Sequence, residues 1–138
     1  MLDILCVGTP KLIGDAIGPL VGTMLEGLDL PLDIRIIGTL RDPVTSKNYN
    51  KRLKEVRPGK HLVVIDAAVG SKYPSIEFIE GPLQPGSALT SKLQPIGDSA
   101  VKCYTGRDLR HFMSCDLNII YTMARHVVDS LVKKYKIG

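Results

Sequence analysis

The sequence is poor in cysteine, and the thiols it has form no recognisable framework. Cys6, Cys103 and Cys115 are odd in number and far apart, which fits reduced, buried thiols better than disulfides. No two of them have the close spacing of a zinc site, and the histidines at 61, 111 and 126 are scattered. We therefore predict a protein without structural disulfides and without a bound metal.

Long apolar runs are also missing. No stretch approaches the roughly 20 residues that cross a bilayer, and "MLDILCVG" begins as a strand with no basic leader before it. The composition, 44% hydrophobic and 23% charged, is typical of a globular chain in water. Because 138 residues suffice for one core but not two, we predict a single domain over 1–138. Because the sequence shows neither a basic leader nor a long apolar run, we predict a cytoplasmic protein with no membrane partner.

Phosphate-binding motifs are absent as well. The stretch "GTPKLIG" lies where a phosphate loop would lie, but it contains neither GxxxxGK[ST] nor GxGxxG. The acid Asp15, which follows it at the predicted start of a helix, would repel a phosphate bound there. We predict no nucleotide and no other cofactor.

The net charge of +4 is concentrated in residues 46–60, "SKNYNKRLKEVRPGK". Such a basic stretch is one mark of nucleic-acid binding. Here it contains a single aromatic residue and no known recognition motif, which favours a solvated helix and loop. Nucleic acid is therefore not the predicted partner.

Strand and helix patterns alternate along the chain. Two near-continuous apolar runs, "DILCVGT" and "KHLVVIDAAVGS", are typical of strands covered on both faces. An amphipathic helix is predicted to begin near Asp15, and a longer one ends the chain. This order predicts an α/β fold with a mainly parallel sheet and helices on both faces. The apolar helix over 16–28 leaves a homo-oligomer open as an alternative.

Two acids follow the carboxyl ends of the apolar strands. Asp15 alone has an ordinary explanation as a helix N-cap, and Asp66 alone as a turn former at a strand end. In a parallel sheet, however, ligands bind beyond the carboxyl ends of the strands, so the two side chains can meet in one crevice. Two close carboxyls share a proton and can activate water while protonating a leaving amine.

A third feature is the loop "GPLQPGSALTSK". Glycine and proline fill four of the six positions 81–86, and a loop of this kind can line a crevice with backbone N–H groups. Ser87 and Lys92 would add side-chain donors. The alternative is that the segment merely connects two strands.

Three segments resemble spore germination protease. "IGDAIGPLVGTML" is similar to the segment that carries its first essential aspartate, "VVIDAAVGS" to the strand with the second, and "PGSALTSK" to its Pro-Gly-Ser loop. The matching positions are Asp15, Ala16, Gly18 and Pro19 in the first, Asp66 and Ala67 in the second, and Pro85, Gly86, Ser87 and Lys92 in the third. The chain lacks the large additional regions of that protease, and Ser87-Ala88-Leu89 stands where glycines are more usual.

From about Leu5 to Leu131 the chain resembles the YyaC-like sporulation proteins, in which "GTLRDPV", "GPLQPG", "LQPIGD" and "HFM" recur. This family is related to germination protease and to the hydrogenase-maturation endopeptidases, which implies a three-layer α/β/α sandwich. In those endopeptidases two acids at matching positions and a downstream histidine bind nickel at the processing site of the substrate. No histidine occurs here around Ser91–Gln94, so the resemblance implies metal-free, two-aspartate chemistry.

The first hypothesis is a sporulation-associated endopeptidase-like protein that acts on a protein or peptide substrate. Asp15 and Asp66 would be the catalytic acids, and Gly14, Gly86, Ser87 and Lys92 would bind the substrate. The alternative is a non-enzymatic binding or regulatory protein on the same scaffold, its acids serving as caps or recognising a basic peptide.

Overall fold

A computed structural model describes residues 1–86 and 93–137. Within them five strands form one sheet: β1 (Leu2–Cys6), β2 (Ile34–Ile37), β3 (His61–Val69), β4 (Ser75–Glu80) and β5 (Ser99–Gly106). Their order across the sheet is β2-β1-β3-β5-β4. Only β4 is antiparallel to its neighbour; the other pairs are parallel. The predicted α/β fold with a mainly parallel sheet is confirmed.

Helices lie on both faces of this sheet, as predicted. The described helices are α1 (Ile17–Glu26), α2 (Tyr49–Arg52), α3 (Leu109–Met113) and α4 (Leu117–Tyr135). Helices α1 and α4 pack against each other and cover one face, on which Ile4 and Ile65 are fully buried. The short α2 and the segments around it cover the other face, on which Leu5 and Val64 are fully buried. The sheet is therefore the middle of three layers.

The helix that left self-association open is mostly internal. Ile17, Val21 and Leu25 of α1 are fully buried, and Leu20 and Met24 are partly buried against the same core.

In the described parts of the chain, no helix is both long and apolar enough to pass through a membrane.

The strand order creates a crevice between β1 and β3. The chain leaves β1 for α1 and then enters β2 on one side of β1, whereas β3 lies on the other side. Loops after two neighbouring strands that depart in opposite directions leave a gap at the carboxyl edge, and open α/β sheets bind ligands there. Asp15 follows β1 and Asp66 belongs to β3, so the topology places both acids beside this gap.

One buried acid at the far end of β1 has a structural role. Asp3 is fully buried, and its carboxylate accepts hydrogen bonds of 2.7 Å from both the backbone N–H and the Nε–H of Arg57. The Arg57 guanidinium also donates to the carbonyl oxygens of Leu2 and Asp33. The pair ties the segment before β3 to the edge of β1.

We expect Asp3→Asn to lower the free energy of unfolding by about 2 kcal/mol, because a partly buried guanidinium would lose its counter-charge. Urea unfolding measures the change. The matched control is Asp33→Asn, whose exposed carboxylate lies 3.8 Å from the terminal amine and whose replacement should change stability by less than about 0.5 kcal/mol. Equal effects of the two variants would contradict the assignment.

Candidate functional site

Asp15 lies in a 3₁₀ turn, Ile13–Ala16, that connects the loop after β1 to α1. It is only 6% exposed, and its Oδ2 accepts a 2.7 Å hydrogen bond from the backbone N–H of Thr9. The N-cap of α1 is Ala16, and no side chain caps this helix. The carboxylate is therefore turned toward the loop, so the N-cap explanation is wrong.

Asp66 lies inside β3. The strand continues to Val69 because it pairs with β5 as far as Gly106, so the expectation that Asp66 follows the strand end is wrong. The residue is 2% exposed, and its Oδ2 accepts a 2.8 Å hydrogen bond from the N–H of Gly86. Its register neighbour on β5 is Lys102.

The two acids line one cavity of about 510 Å³. The exposed surface of the wall is mainly apolar. Apolar side chains come from Val7, Pro10, Leu12, Pro43 and Leu93, and hydroxyl side chains from Thr9, Thr45 and Ser46. Two exposed lysines, Lys11 and Lys47, also line it. The carboxyl groups thus share a space that is large enough for a side chain and part of a peptide backbone, with positive charge at its border.

Burial raises the pKa of both acids. The pKa of Asp15 rises from 3.8 to about 6, against the opposing effect of the Thr9 N–H. Burial and then the charge of Asp15 raise the pKa of Asp66 well above its ordinary value. The N–H groups of Gly86 and Ala67 and the ammonium group of Lys102 oppose this rise. Near neutral pH these shifts favour one ionised and one protonated carboxyl, with the proton on Asp66.

An arrangement of this kind can move protons in both directions. An ionised carboxylate accepts a proton from water, and a protonated carboxyl donates one to a leaving group. Each acid has one carboxylate oxygen bound by a backbone N–H, of Thr9 or of Gly86, and these bonds orient the acids before any substrate arrives.

The other predicted site residues have different locations. Gly86 lines the cavity, and its φ of +78° lies in the left-handed region that favours glycine. Gly14 is buried against Phe112, and the described cavity wall does not include it. Ser87 and Lys92 lie outside the described residues, so their roles stay predictions.

Some residues at or near the site carry no distinctive sequence signal. One of them, Tyr49, is not among the residues that line the cavity. Tyr49 is fully buried, and its hydroxyl donates to the carbonyl oxygen of Gln94 at 3.1 Å. Burial and the nearby charge of Asp66 raise its pKa to about 12, so the phenol keeps its proton. In the sequence, Tyr49 differs from its neighbours only as the single aromatic residue of the basic stretch 46–60. Lys11 and Lys47 were likewise indistinguishable from other surface lysines.

The basic stretch 46–60 uses part of its charge within the fold. Arg52 donates to the carboxylates of Asp42, at 2.9 Å, and of Glu55. Arg57 is occupied by Asp3. These contacts agree with the preferred interpretation of the stretch as a solvated helix and loop.

The described residues contain no group of three or more His, Cys, Asp or Glu side chains that could hold a metal ion. The six residues 87–92, "SALTSK", include none of these types. Asp15 and Asp66 thus supply two carboxylate donors without a histidine, which does not fit a three-ligand nickel site.

The fold is similar to that of known maturation proteases. The [NiFe] hydrogenase maturation protease HycI of Thermococcus kodakarensis KOD1 matches with a TM-score of 0.66 and 16% identity, over 96% of this chain and 90% of that one. The hydrogenase 2 maturation peptidase of Thaumarchaeota archaeon SCGC_AB-539-E09 matches with a TM-score of 0.60 and 14% identity, over 98% and 97%. The resemblance of the fold to this group is confirmed.

The chain is also similar in sequence to a curated protein. The uncharacterized protein YyaC of Bacillus subtilis (strain 168) is 27% identical over 137 residues, 93% of this chain. The chain spans 66% of the length of that protein. The predicted resemblance to YyaC-like proteins is confirmed. A family model described as protein of unknown function (DUF1256) matches residues 2–130, and the chain belongs to this family.

Proposed function

We propose that this chain is a sporulation-associated, endopeptidase-like protein that hydrolyses peptide bonds with Asp15 and Asp66. The observation that carries the proposal is the pair of buried carboxyls lining one cavity, with the charge of Asp15 raising the pKa of Asp66. The similar fold of two hydrogenase maturation proteases supports a peptidase scaffold. The link to sporulation rests on the three segments that resemble germination protease.

In this mechanism Asp15 is the base and Asp66 the acid. The pKa of Asp15 is about 6, so its carboxylate is ionised at neutral pH and takes a proton from a water molecule. The oxygen of that water adds to the scissile carbonyl carbon. Asp66, whose pKa is well above its ordinary value, donates its proton to the leaving amine as the C–N bond breaks. Proton exchange between the carboxyls and solvent then restores the starting state.

The cavity also supports a proposal about the class of substrate. Its walls are mainly apolar, so burying an apolar side chain of the substrate beside the scissile bond would contribute binding free energy. We propose an extended segment of a protein or peptide as the substrate. Because the three cysteines are free and buried, we place the reaction in a reducing compartment, the cytoplasm.

A library of unmodified peptides, analysed by mass spectrometry after incubation with the chain, tests the proposal. We expect cleavage next to apolar residues. For the best peptide, kcat/KM should rise with pH as a group with a pKa near 6 loses its proton, and fall again when the second carboxyl ionises.

The rise and the fall of kcat/KM with pH follow from the roles of the two acids. Below about pH 6 the base Asp15 is protonated and inactive, whereas at high pH Asp66 has no proton to donate. A pH-independent rate would contradict the two-carboxyl mechanism. Peptides that bind without being cut at any pH would contradict peptidase activity and favour the binding protein.

A further inference from the structure

A buried hydroxyl supports the backbone next to Asp15. Thr105, on β5, is fully buried, and its Oγ1 donates a 2.8 Å hydrogen bond to the carbonyl oxygen of Gly14. Gly14 directly precedes Asp15 in the 3₁₀ turn. The bond joins residues 91 positions apart in the sequence, so it ties the turn to the sheet.

Phe112 holds the same peptide from another side. A Cβ added at Gly14 would lie 2.3 Å from the carbonyl oxygen of Phe112 and 2.5 Å from its ring atom Cδ1. Phe112 itself sits close to Gly106, at the end of β5, where an added Cβ would lie 2.5 Å from the Phe112 nitrogen. Gly14 is thus packed against Phe112 while its carbonyl oxygen is bound by Thr105.

Rotation of the peptide that follows Gly14 would move Asp15. The Asp15 carboxylate accepts the Thr9 N–H at 2.7 Å, a bond that requires the turn to keep its orientation. If the Gly14 carbonyl oxygen lost its donor, a buried polar atom would be unpaired. The peptide would then be held by the 3.0 Å bond from the Asp15 N–H to the Leu12 carbonyl oxygen, and would be freer to rotate. Such a rotation would carry the carboxylate away from Thr9.

We propose that Thr105 is a positioning residue that fixes the Gly14–Asp15 peptide and thereby directs the Asp15 carboxyl into the cavity shared with Asp66. The inference rests on the proposed function for its kinetic consequence only. The contact itself and its effect on the Asp15–Thr9 bond can be measured in a chain with no activity.

Three variants test this role. Thr105→Val removes the hydroxyl at nearly constant volume, and Thr105→Ser keeps it. Ser99→Ala is the matched control, because Ser99 is also a buried β5 hydroxyl but contacts His61 at 3.0 Å at the opposite end of the strand. Melting temperature is recorded for each.

Hydrogen exchange of the Thr9 amide, followed by NMR, is the readout that needs no substrate. We expect exchange to become about fivefold faster in Thr105→Val, because its bond to Asp15 weakens. It should be unchanged in Thr105→Ser and Ser99→Ala. With a cleaved peptide, kcat should fall between about tenfold and 100-fold in Thr105→Val with little change in KM, and Thr105→Ser should restore it.

The outcomes separate this proposal from the peptidase proposal. The Thr9 amide could exchange at the same rate in Thr105→Val and Ser99→Ala while both variants lose a similar amount of melting temperature. This result would overturn the positioning role even if peptides are cleaved. Faster Thr9 exchange in a chain that cleaves no peptide would support the positioning role while the peptidase proposal fails. If Thr105→Val does not fold, Thr105→Ala takes its place. Failure of both to fold would overturn the proposal, because Thr105 would then be required for folding.

Discussion

We expect Asp15→Asn and Asp66→Asn each to lower kcat for the best peptide by at least about 10³-fold. Asparagine in place of Asp15 cannot accept a proton from water, and asparagine in place of Asp66 cannot donate one to the amine. Each amide oxygen can still accept the existing backbone hydrogen bond, from Thr9 or from Gly86. Steady-state kinetics with the peptide identified from the library gives the measurement.

The matched control is Asp98→Asn. Asp98 also uses a carboxylate oxygen to accept a backbone hydrogen bond, from Leu62 at 2.8 Å, but it precedes β5 at the opposite edge of the sheet. Its replacement should leave kcat unchanged. Activity that survives in Asp15→Asn or Asp66→Asn would contradict the acid–base pair.

We expect Asp15→Asn to increase the stability of the fold while it lowers activity. Between about pH 4 and about pH 6 the folded chain keeps a proton on Asp15 that the unfolded chain releases, because folding raises this pKa from 3.8 to about 6. The free energy of unfolding therefore falls as pH rises through this window, and the full cost, about 3 kcal/mol, is present above it. Asp15→Asn should be more stable than the parent by up to that amount near pH 7.5, and the gain should vanish near pH 4.

The opposite change in the stability of Asp15→Asn would contradict this prediction. If Asp15→Asn were less stable than the parent at neutral pH, the carboxylate would be a structural group that strengthens the fold. Urea unfolding at both pH values distinguishes the two cases, and Asp98→Asn again serves as the control.

The sheet was predictable because its signals are local. The apolar runs that became β1 and β3 and the alternation of strands with helices require no knowledge of distant contacts. The meeting of Asp15 and Asp66 in one cavity was also expected, from the rule that ligands bind beyond the carboxyl ends of parallel strands, although Asp66 lies within β3 and not after it. The resemblance to germination protease then singled out these two acids from the other carboxylates of the chain.

The contacts that hold the site residues in place could not be predicted in the same way. The partner of Thr105, Gly14, lies 91 positions away, and neither residue is unusual in its local sequence. Helix α3 has only five residues, too few for a periodic pattern, although Asp108 caps it by accepting the N–H of His111 at 2.8 Å. Asp66 was placed at a strand end because the small residues after it resemble a turn, whereas pairing with β5 extends β3.

The approach of α1 to the sheet depends on glycine. A Cβ added at Gly22 would lie 1.9 Å from the carbonyl oxygen of Gly38, and one at Gly18 would lie 2.2 Å from that of Val7. Both obstacles are backbone atoms, which cannot move aside as a side-chain tip can. Helix α1 directly follows the turn that carries Asp15, so the same close approach sets the position of this acid.

We expect Gly22→Ala to lower the free energy of unfolding by about 3 kcal/mol or more, because the helix must move away from the backbone of Gly38, which follows β2. Gly27→Ala is the matched control: its added Cβ would come no closer than 3.5 Å to a neighbour, and its φ of −74° suits alanine. This control should be neutral or more stable by up to about 1 kcal/mol. Wherever Gly22→Ala stays folded, kcat should fall as Asp15 moves with the helix, while Gly27→Ala keeps the parent rate. Equal stability of the two variants in urea would mean that α1 can retreat freely from the sheet, and the position of Asp15 would then have to depend on the Thr105 and Phe112 contacts alone.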